Sequence, residues 1–147
     1  MHGATHNVPV RAGTVLQGVY GRMLDKTVTV RPQTSESYSV FRVKFAKGSQ
    51  HSSSLSYRPD SSTMRISRVH AGYNRDFVHE RKCSVSNRGG ELKLRMILDR
   101  FSAESFVNDG EQALSMTFCT PMSADGISFE ARGNSIIDVE KYDILSP

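Results

Sequence analysis

Five histidines (His2, His6, His51, His70 and His79) and two cysteines (Cys83 and Cys119) are the side chains best suited to bind a metal or to form a nucleophile and base pair. Their order along the chain suits neither task. There is no HExxH and no CxxC, so neither a zinc site nor a disulfide framework is expected, and the histidines read as exposed loop residues. The serines are many, but no GxSxG places one at a nucleophile elbow. Gly89-Gly90 lacks the surrounding pattern of a P-loop or of GxGxxG and reads as a turn. No catalytic residue, metal or cofactor is therefore expected. The basic residues Arg65, Arg68, Arg75, Arg81, Lys82 and Arg88 are spread out and interrupted by Asp76 and Glu80. A nucleic-acid binder would gather such charges with interleaved aromatics, so no nucleic-acid partner is expected.

The elements that must carry any site alternate with a period of two. Phe41, Val43 and Phe45 share one face of Ser39–Phe45, with Arg42 and Lys44 on the other. Leu92, Leu94, Met96 and Leu98 do the same in Glu91–Leu98, opposite Lys93 and Arg95. Ala113–Cys119 and Ile127–Ala131 repeat the pattern, and shorter candidates are Thr14–Tyr20, Lys26–Val30, Leu55–Tyr57, Thr63–Val69, Ser105–Val107 and Ser135–Val139. Such strands are wet on one side and apolar on the other, and need a second sheet over the apolar side. Turn chemistry separates them: Arg58-Pro59-Asp60, Asn87-Arg88-Gly89-Gly90, Asp109-Gly110 and Arg132-Gly133-Asn134. About ten closely spaced strands and no convincing helix predict an all-β, two-layer antiparallel β-sandwich. His70–Arg81 reads as a long connection and residues 1–10 as a flexible lead-in, leaving 11–147 as a single domain.

The chain has 147 residues, which fits one domain and is too short for a TIM barrel of about 250. Its formal net charge is +4, with a balance of +6 over residues 1–80 and −2 over 81–147. No apolar run approaches the roughly 18 residues of a membrane span, so no membrane partner is expected. The opening MHGATHNVPV lacks the apolar core of a signal peptide, and a cytoplasmic location is expected. Sandwiches bind sugars by stacking aromatics on ring faces while polar groups orient hydroxyls. Tyr57, Tyr73, Phe77 and Tyr142 are the candidates here, and core or edge packing is the other use of the same rings.

The run from Leu92, LKLRMILDRFSAESFVNDGEQALSMTF, resembles the signature strand-turn-strand of the C-terminal β-sandwich module of glycoside hydrolase family 32. The matching steps are Asp99-Arg100, Ser102, Glu104, Phe106 and Asn108-Asp109-Gly110-Glu111. The upstream LSYRPDSSTMRISR and the downstream GISFEARGNSIIDVEKYDI resemble the module's neighbouring strands. From the residues themselves, Asp99, Arg100, Glu104, Phe106, Asn108, Asp109 and Gly110 read as a structural motif that organises a hairpin, with Arg100 and Glu104 able to pair across the step.

The resemblance implies a non-catalytic module of a fructoside-hydrolysing (sucrose or fructan) glycosidase. The family's two carboxylates, which act as nucleophile and general acid/base, lie in a separate N-terminal propeller. Their motifs, Asn-Asp-Pro-Asn-Gly, Arg-Asp-Pro and Glu-Cys-Pro, do not occur here. Asn108-Asp109-Gly110 and Arg75-Asp76-Phe77 are partial strings that lack the proline. The implied partner is the catalytic propeller domain. A homo-oligomer could form through the face the propeller would cover, and a fructoside or fructan ligand is the alternative expectation, that of a stand-alone carbohydrate-binding module.

Overall fold

Alternation of burial governs most of the strands. In Met23–Pro32 (β2), Leu24, Lys26, Val28 and Val30 point inward; in Leu92–Asp99 (β7), Leu92, Leu94, Met96 and Leu98 do. The remaining strands are His2–Val10 (β1), Val40–Lys47 (β3), Ser53–Arg58 (β4), Thr63–Ser67 (β5), Glu80–Ser84 (β6), Ser102–Val107 (β8), Gln112–Thr117 (β9), Gly126–Arg132 (β10) and Ser135–Asp143 (β11). These come from a computed structural model, which describes residues 2–10, 14, 20–33, 38–47, 53–67, 80–86, 89–100, 102–117, 125–133 and 135–143. Among the described residues there is no helix.

The strands form two antiparallel sheets. One has six strands in the order β1-β11-β2-β7-β8-β9, the other five in the order β10-β3-β4-β5-β6. Their inner faces meet in one apolar core, with Leu24, Val28, Leu94 and Ile137 from the first and Phe41, Phe45, Leu55, Met64 and Phe129 from the second. Phe41 sits at the centre, its ring 6.3 Å from Tyr38 edge-on and 6.5 Å from a stacked Phe129. Tyr38 satisfies its buried hydroxyl by donating to the Gly90 carbonyl at 2.6 Å, which ties the entry of β3 to the entry of β7. The turn between β10 and β11 passes tightly over this tyrosine. Gly133 has φ +95°, and a Cβ there would stand 2.9 Å from Tyr38 Cα, so both conformation and space select glycine.

The all-β sandwich expected from the alternation is the fold observed. Two local expectations are corrected. Residues 2–10 are not a loose lead-in but form β1, paired along β11 from His2↔Tyr142 to Val10↔Ser135. At its bulge Asn7 donates its backbone N–H to Asp138 Oδ1 at 2.7 Å, and Arg31 holds the other carboxylate oxygen at 2.8 Å. The connection read over His70–Arg81 ends in a strand, β6, whose Glu80 and Arg81 pair with Ser67 and Ile66. Both are edge strands. Few of their side chains reach the core, Val8 and Val10 in one and Cys83 in the other, so little apolar alternation marks them. Cys83 is a free, half-buried thiol whose pKa burial pushes up; Cys119 lies outside the described residues. Of Thr14–Tyr20, the described Thr14 and Tyr20 bridge to Phe129 and Gly126.

Buried serines at Ser53, Ser105 and Ser135 interrupt the apolar rows, but among the described residues the fully buried charged position is Lys26. Lys26 is fully buried, and its Nζ has no hydrogen-bond partner among the described residues. Its register neighbours are Met96 and the lysine stem of Lys141, and its Nζ lies 5.7 Å from the Phe129 ring centre. One ring face recovers less than the hydration lost on burial, so the lysine pKa falls from 10.5 to about 7. Between those values the unfolded chain holds a proton that the folded chain has released. This contribution to stability is complete above pH 10.5 and is lost as pH falls to about 7. The buried Tyr38 phenol, shifted upward, acts in the opposite sense, so the comparison must be made against a variant. Lys26→Met is expected to be more stable than the parent at pH 7. In urea unfolding the gap should narrow toward pH 10 at up to roughly 1.4 kcal/mol per pH unit. A gap independent of pH would mean that Lys26 keeps its ordinary pKa.

Candidate functional site

Asn108-Asp109-Gly110-Glu111 turns the chain from β8 into β9. Asn108 and Asp109 adopt φ +49° and +60°, followed by Gly110 at +107°. Asn and Asp tolerate this region best among non-glycine residues. The Gly110 and Glu111 amides both donate to the Val107 carbonyl, at 3.0 and 2.8 Å. Asn108 then extends the ladder by one rung. Its N–H donates to the Lys93 carbonyl at 2.8 Å, and its Oδ1 accepts the Lys93 N–H at 3.0 Å. Its Nδ2 donates to Glu111 Oε1 at 3.3 Å, and Glu111 Oε2 accepts the Ser86 N–H at 2.6 Å. Ser86 follows β6, so this carboxylate crosses from one sheet to the other. Gln112 reinforces the crossing by donating to the Ser84 carbonyl at 3.0 Å.

The upstream part of the motif closes the β7–β8 hairpin. Asp99 pairs with Ser102, and Arg100 in the turn has φ +50°. Arg100 is held through its backbone: its N–H donates to the Arg22 carbonyl at 2.7 Å, and its carbonyl accepts Arg22 Nε at 2.6 Å. Glu104 is exposed on β8 opposite Ile97 and Ser115. These residues thus make two turns and a clamp between sheets. Phe106 differs, because its half-buried ring points outward from the six-stranded sheet.

Phe106 lines a groove of about 550 Å³ on that outer face, together with Asp25, Thr27, Lys93, Arg95, Asp109, Gly110, Glu140 and Tyr142. The register explains the assembly. Glu140, Thr27, Arg95 and Phe106 form one row across four strands, and Tyr142 and Asp25 lie in the next. Three inter-strand steps of about 4.8 Å separate the β8 and β11 ends by about 14 Å. Asp25 and Arg95, diagonal neighbours, form a two-pronged pair at 2.6 and 3.0 Å, which raises the Arg95 pKa. Lys93 Nζ lies 2.7 Å from Asp109 Oδ1. The Tyr142 hydroxyl donates to Glu140 Oε1 at 2.6 Å, and this bond pushes the phenol pKa up. Tyr142 is 48% exposed and lines the groove.

Tyr142 is thus brought together with Phe106, a residue of the structural motif. Tyr57 is not at this site. It is 1% exposed, its hydroxyl donates to the Val85 and Ser86 carbonyls at 3.2 and 3.3 Å, and its ring cannot stack on a ligand. Tyr73 and Phe77 lie outside the described residues. Asp25, Lys93, Arg95 and Glu140 were not singled out from the sequence. Their outward phase in amphipathic strands was legible, but which outward residues become neighbours depends on strand order. Each groove carboxylate is already engaged by a donor: Asp25 by Arg95, Asp109 by Lys93 and Glu140 by the Tyr142 hydroxyl.

A two-sheet antiparallel sandwich with an inter-sheet turn clamp defines an all-β module. Comparison with protein families gives its relationship: residues 3–145 match the model "Glycosyl hydrolases family 32 C terminal", and the chain belongs to that family. The fold is shared with exo-inulinase from Aspergillus awamori (TM-score 0.82, 17% identity, 98% of this chain and 29% of that one). It is also shared with sucrose-6-phosphate hydrolase from Lactobacillus gasseri (0.75, 15%, 99% and 28%). Fructan 1-exohydrolase IIa from Cichorium intybus is similar in the same way (0.75, 12%, 98% and 35%). The chain therefore spans about a third of the length of these proteins, or less.

The clamp has a measurable consequence. Asn108→Ala removes both side-chain bonds at a positive φ that alanine tolerates less well than asparagine, and Glu111→Ala leaves the Ser86 amide without its acceptor. Each is expected to lower stability by about 1–3 kcal/mol in urea unfolding. Glu111→Gln, which keeps an acceptor, should cost less than Glu111→Ala.

Proposed function

We propose that this chain acts as the non-catalytic C-terminal module of a fructoside-hydrolysing glycosidase, packing against the catalytic domain and stiffening it. The observation that carries this reading is the family match over residues 3–145, combined with coverage of only 28–35% of the neighbouring enzymes. Absence of the catalytic motifs from the sequence supports a supporting rather than a catalytic role. The chain alone is expected to release no fructose from sucrose, sucrose 6-phosphate or inulin. Added to a family 32 catalytic domain from the same genome, it should raise that domain's melting temperature and co-elute with it. Fructose release by the chain alone, or no effect on that domain, would contradict the reading.

A second reading, sugar binding by the module itself, is favoured by the groove that joins Tyr142 to Phe106. An aromatic face can cover the C–H side of a sugar ring, while carboxylates and a guanidinium receive and donate to hydroxyls. Two cations and three carboxylates line the groove, which favours a neutral sugar over a phosphorylated one. A span of about 14 Å suits a short oligosaccharide rather than a single ring. Titration with inulin-type and levan-type oligosaccharides is expected to show saturable binding, millimolar or tighter. Tyr142→Ala should weaken it at least tenfold while leaving the melting temperature within about 2 °C, as befits an exposed side chain. Equal binding by Tyr142→Ala would remove this groove as the site.

A further inference from the structure

The outer face of the five-stranded sheet has the opposite electrostatics. Arg132 on β10 lies opposite Val40 on β3, and Arg58 is the next residue along β4 beyond the Phe41↔Tyr57 pair, so the two arginines flank Val40 from either side. Arg42, two residues further along β3, faces the same way. These three arginines, with Val40, Glu130 and Ala131, line a depression of about 280 Å³. Val40 is only 6% exposed although its side chain points away from the core, and the aliphatic arginine stems beside it suit such a cover. Three arginines from three adjacent strands therefore line one concavity.

Their charge is poorly balanced. Among the described residues the depression contains one carboxylate, Glu130, and this is shared. Lys44 Nζ approaches its Oε1 at 2.9 Å, and Arg42 approaches its Oε2 at 3.5 Å. Lys44 and Arg42 thus share this one anion, and Arg58 and Arg132 add two further cations to the lining with no second carboxylate among its residues. The guanidinium fork suits the tetrahedral oxygens of phosphate or sulfate, to which it donates short charge-assisted bonds. The volume lies just below the usual range for ligand pockets of about 300–1,000 Å³ and suits a small ligand.

We propose that Arg42, Arg58 and Arg132 form a binding site for a tetrahedral oxyanion, either free phosphate or sulfate or the headgroup of a monoester. The site is on the opposite outer face from the Tyr142 groove and independent of it. It does not rest on the module's role in a hydrolase.

The test is titration of the intact chain with inorganic phosphate, sulfate and fructose 6-phosphate, followed by backbone amide NMR shifts at ionic strength matched with chloride. Saturable shifts centred on residues 40–42, 58 and 130–132 are expected, with Kd about millimolar or tighter. The Arg58→Ser/Arg132→Ser double variant should weaken binding at least tenfold. Lys82→Ser removes a cation from the same face outside the depression and should change it less than twofold. Tighter binding of fructose 6-phosphate than of phosphate would identify an ester headgroup as the ligand, and the reverse order a free anion. Shifts reproduced by chloride alone, or equal losses in the Lys82 variant, would overturn the site. Saturable binding retained by the double variant would do the same.

Discussion

Two sheets that are each apolar on one face can hide both faces only by covering one another, and this constraint organises the molecule. The inward rows of β2 and β7 have no other place to exclude water than against Phe41, Phe45, Leu55 and Phe129. Burial of that area supplies the main drive for folding, but it is non-directional and does not set how the sheets are anchored. Directional contacts do that. The Glu111 carboxylate on the Ser86 amide and the Tyr38 hydroxyl on the Gly90 carbonyl each join segments from different sheets. They also satisfy polar groups at the margin of the core, where an unpaired one would be costly.

The described interior is occupied by packing, and both concavities described above lie on outer faces of the sheets. Those faces differ in chemistry. The six-stranded sheet presents an aromatic, charge-paired groove, with Asp25–Arg95 and Lys93–Asp109 nearly neutralised in place. The five-stranded sheet presents serines and arginines, with cations in excess around Glu130. One face suits ligands recognised through hydroxyls and ring faces, the other ligands recognised through negative charge.

The fold was largely legible in the sequence because most strands bury one side. Leu92, Leu94, Met96 and Leu98 announced β7, and Asp109-Gly110 announced the hairpin after β8. β1 and β6 were not legible, since an edge strand needs few apolar residues and is held by hydrogen bonds the sequence does not display. The family motif was also visible, and the structure places Asn108 and its neighbours in the turn from β8 into β9. Its physical purpose was not visible. No spacing rule connects Glu111 to Ser86, because the two meet only when β9 and the end of β6 are brought side by side by the packing of sheets.

The amino-acid order alone settled the secondary-structure period, the apolar face of most strands, the turn positions and the kinship with family 32 sandwiches. All of these are carried by short-range pattern. Tertiary structure alone decided that Tyr57 is core while Tyr142 is surface, although both are tyrosines in alternating strands. It also decided that Phe106 and Tyr142 share a groove, that Arg58 and Arg132 share a depression, and that Lys26 is sealed under Phe129. These outcomes depend on strand order and register, which place residues far apart in the chain a few ångströms from one another.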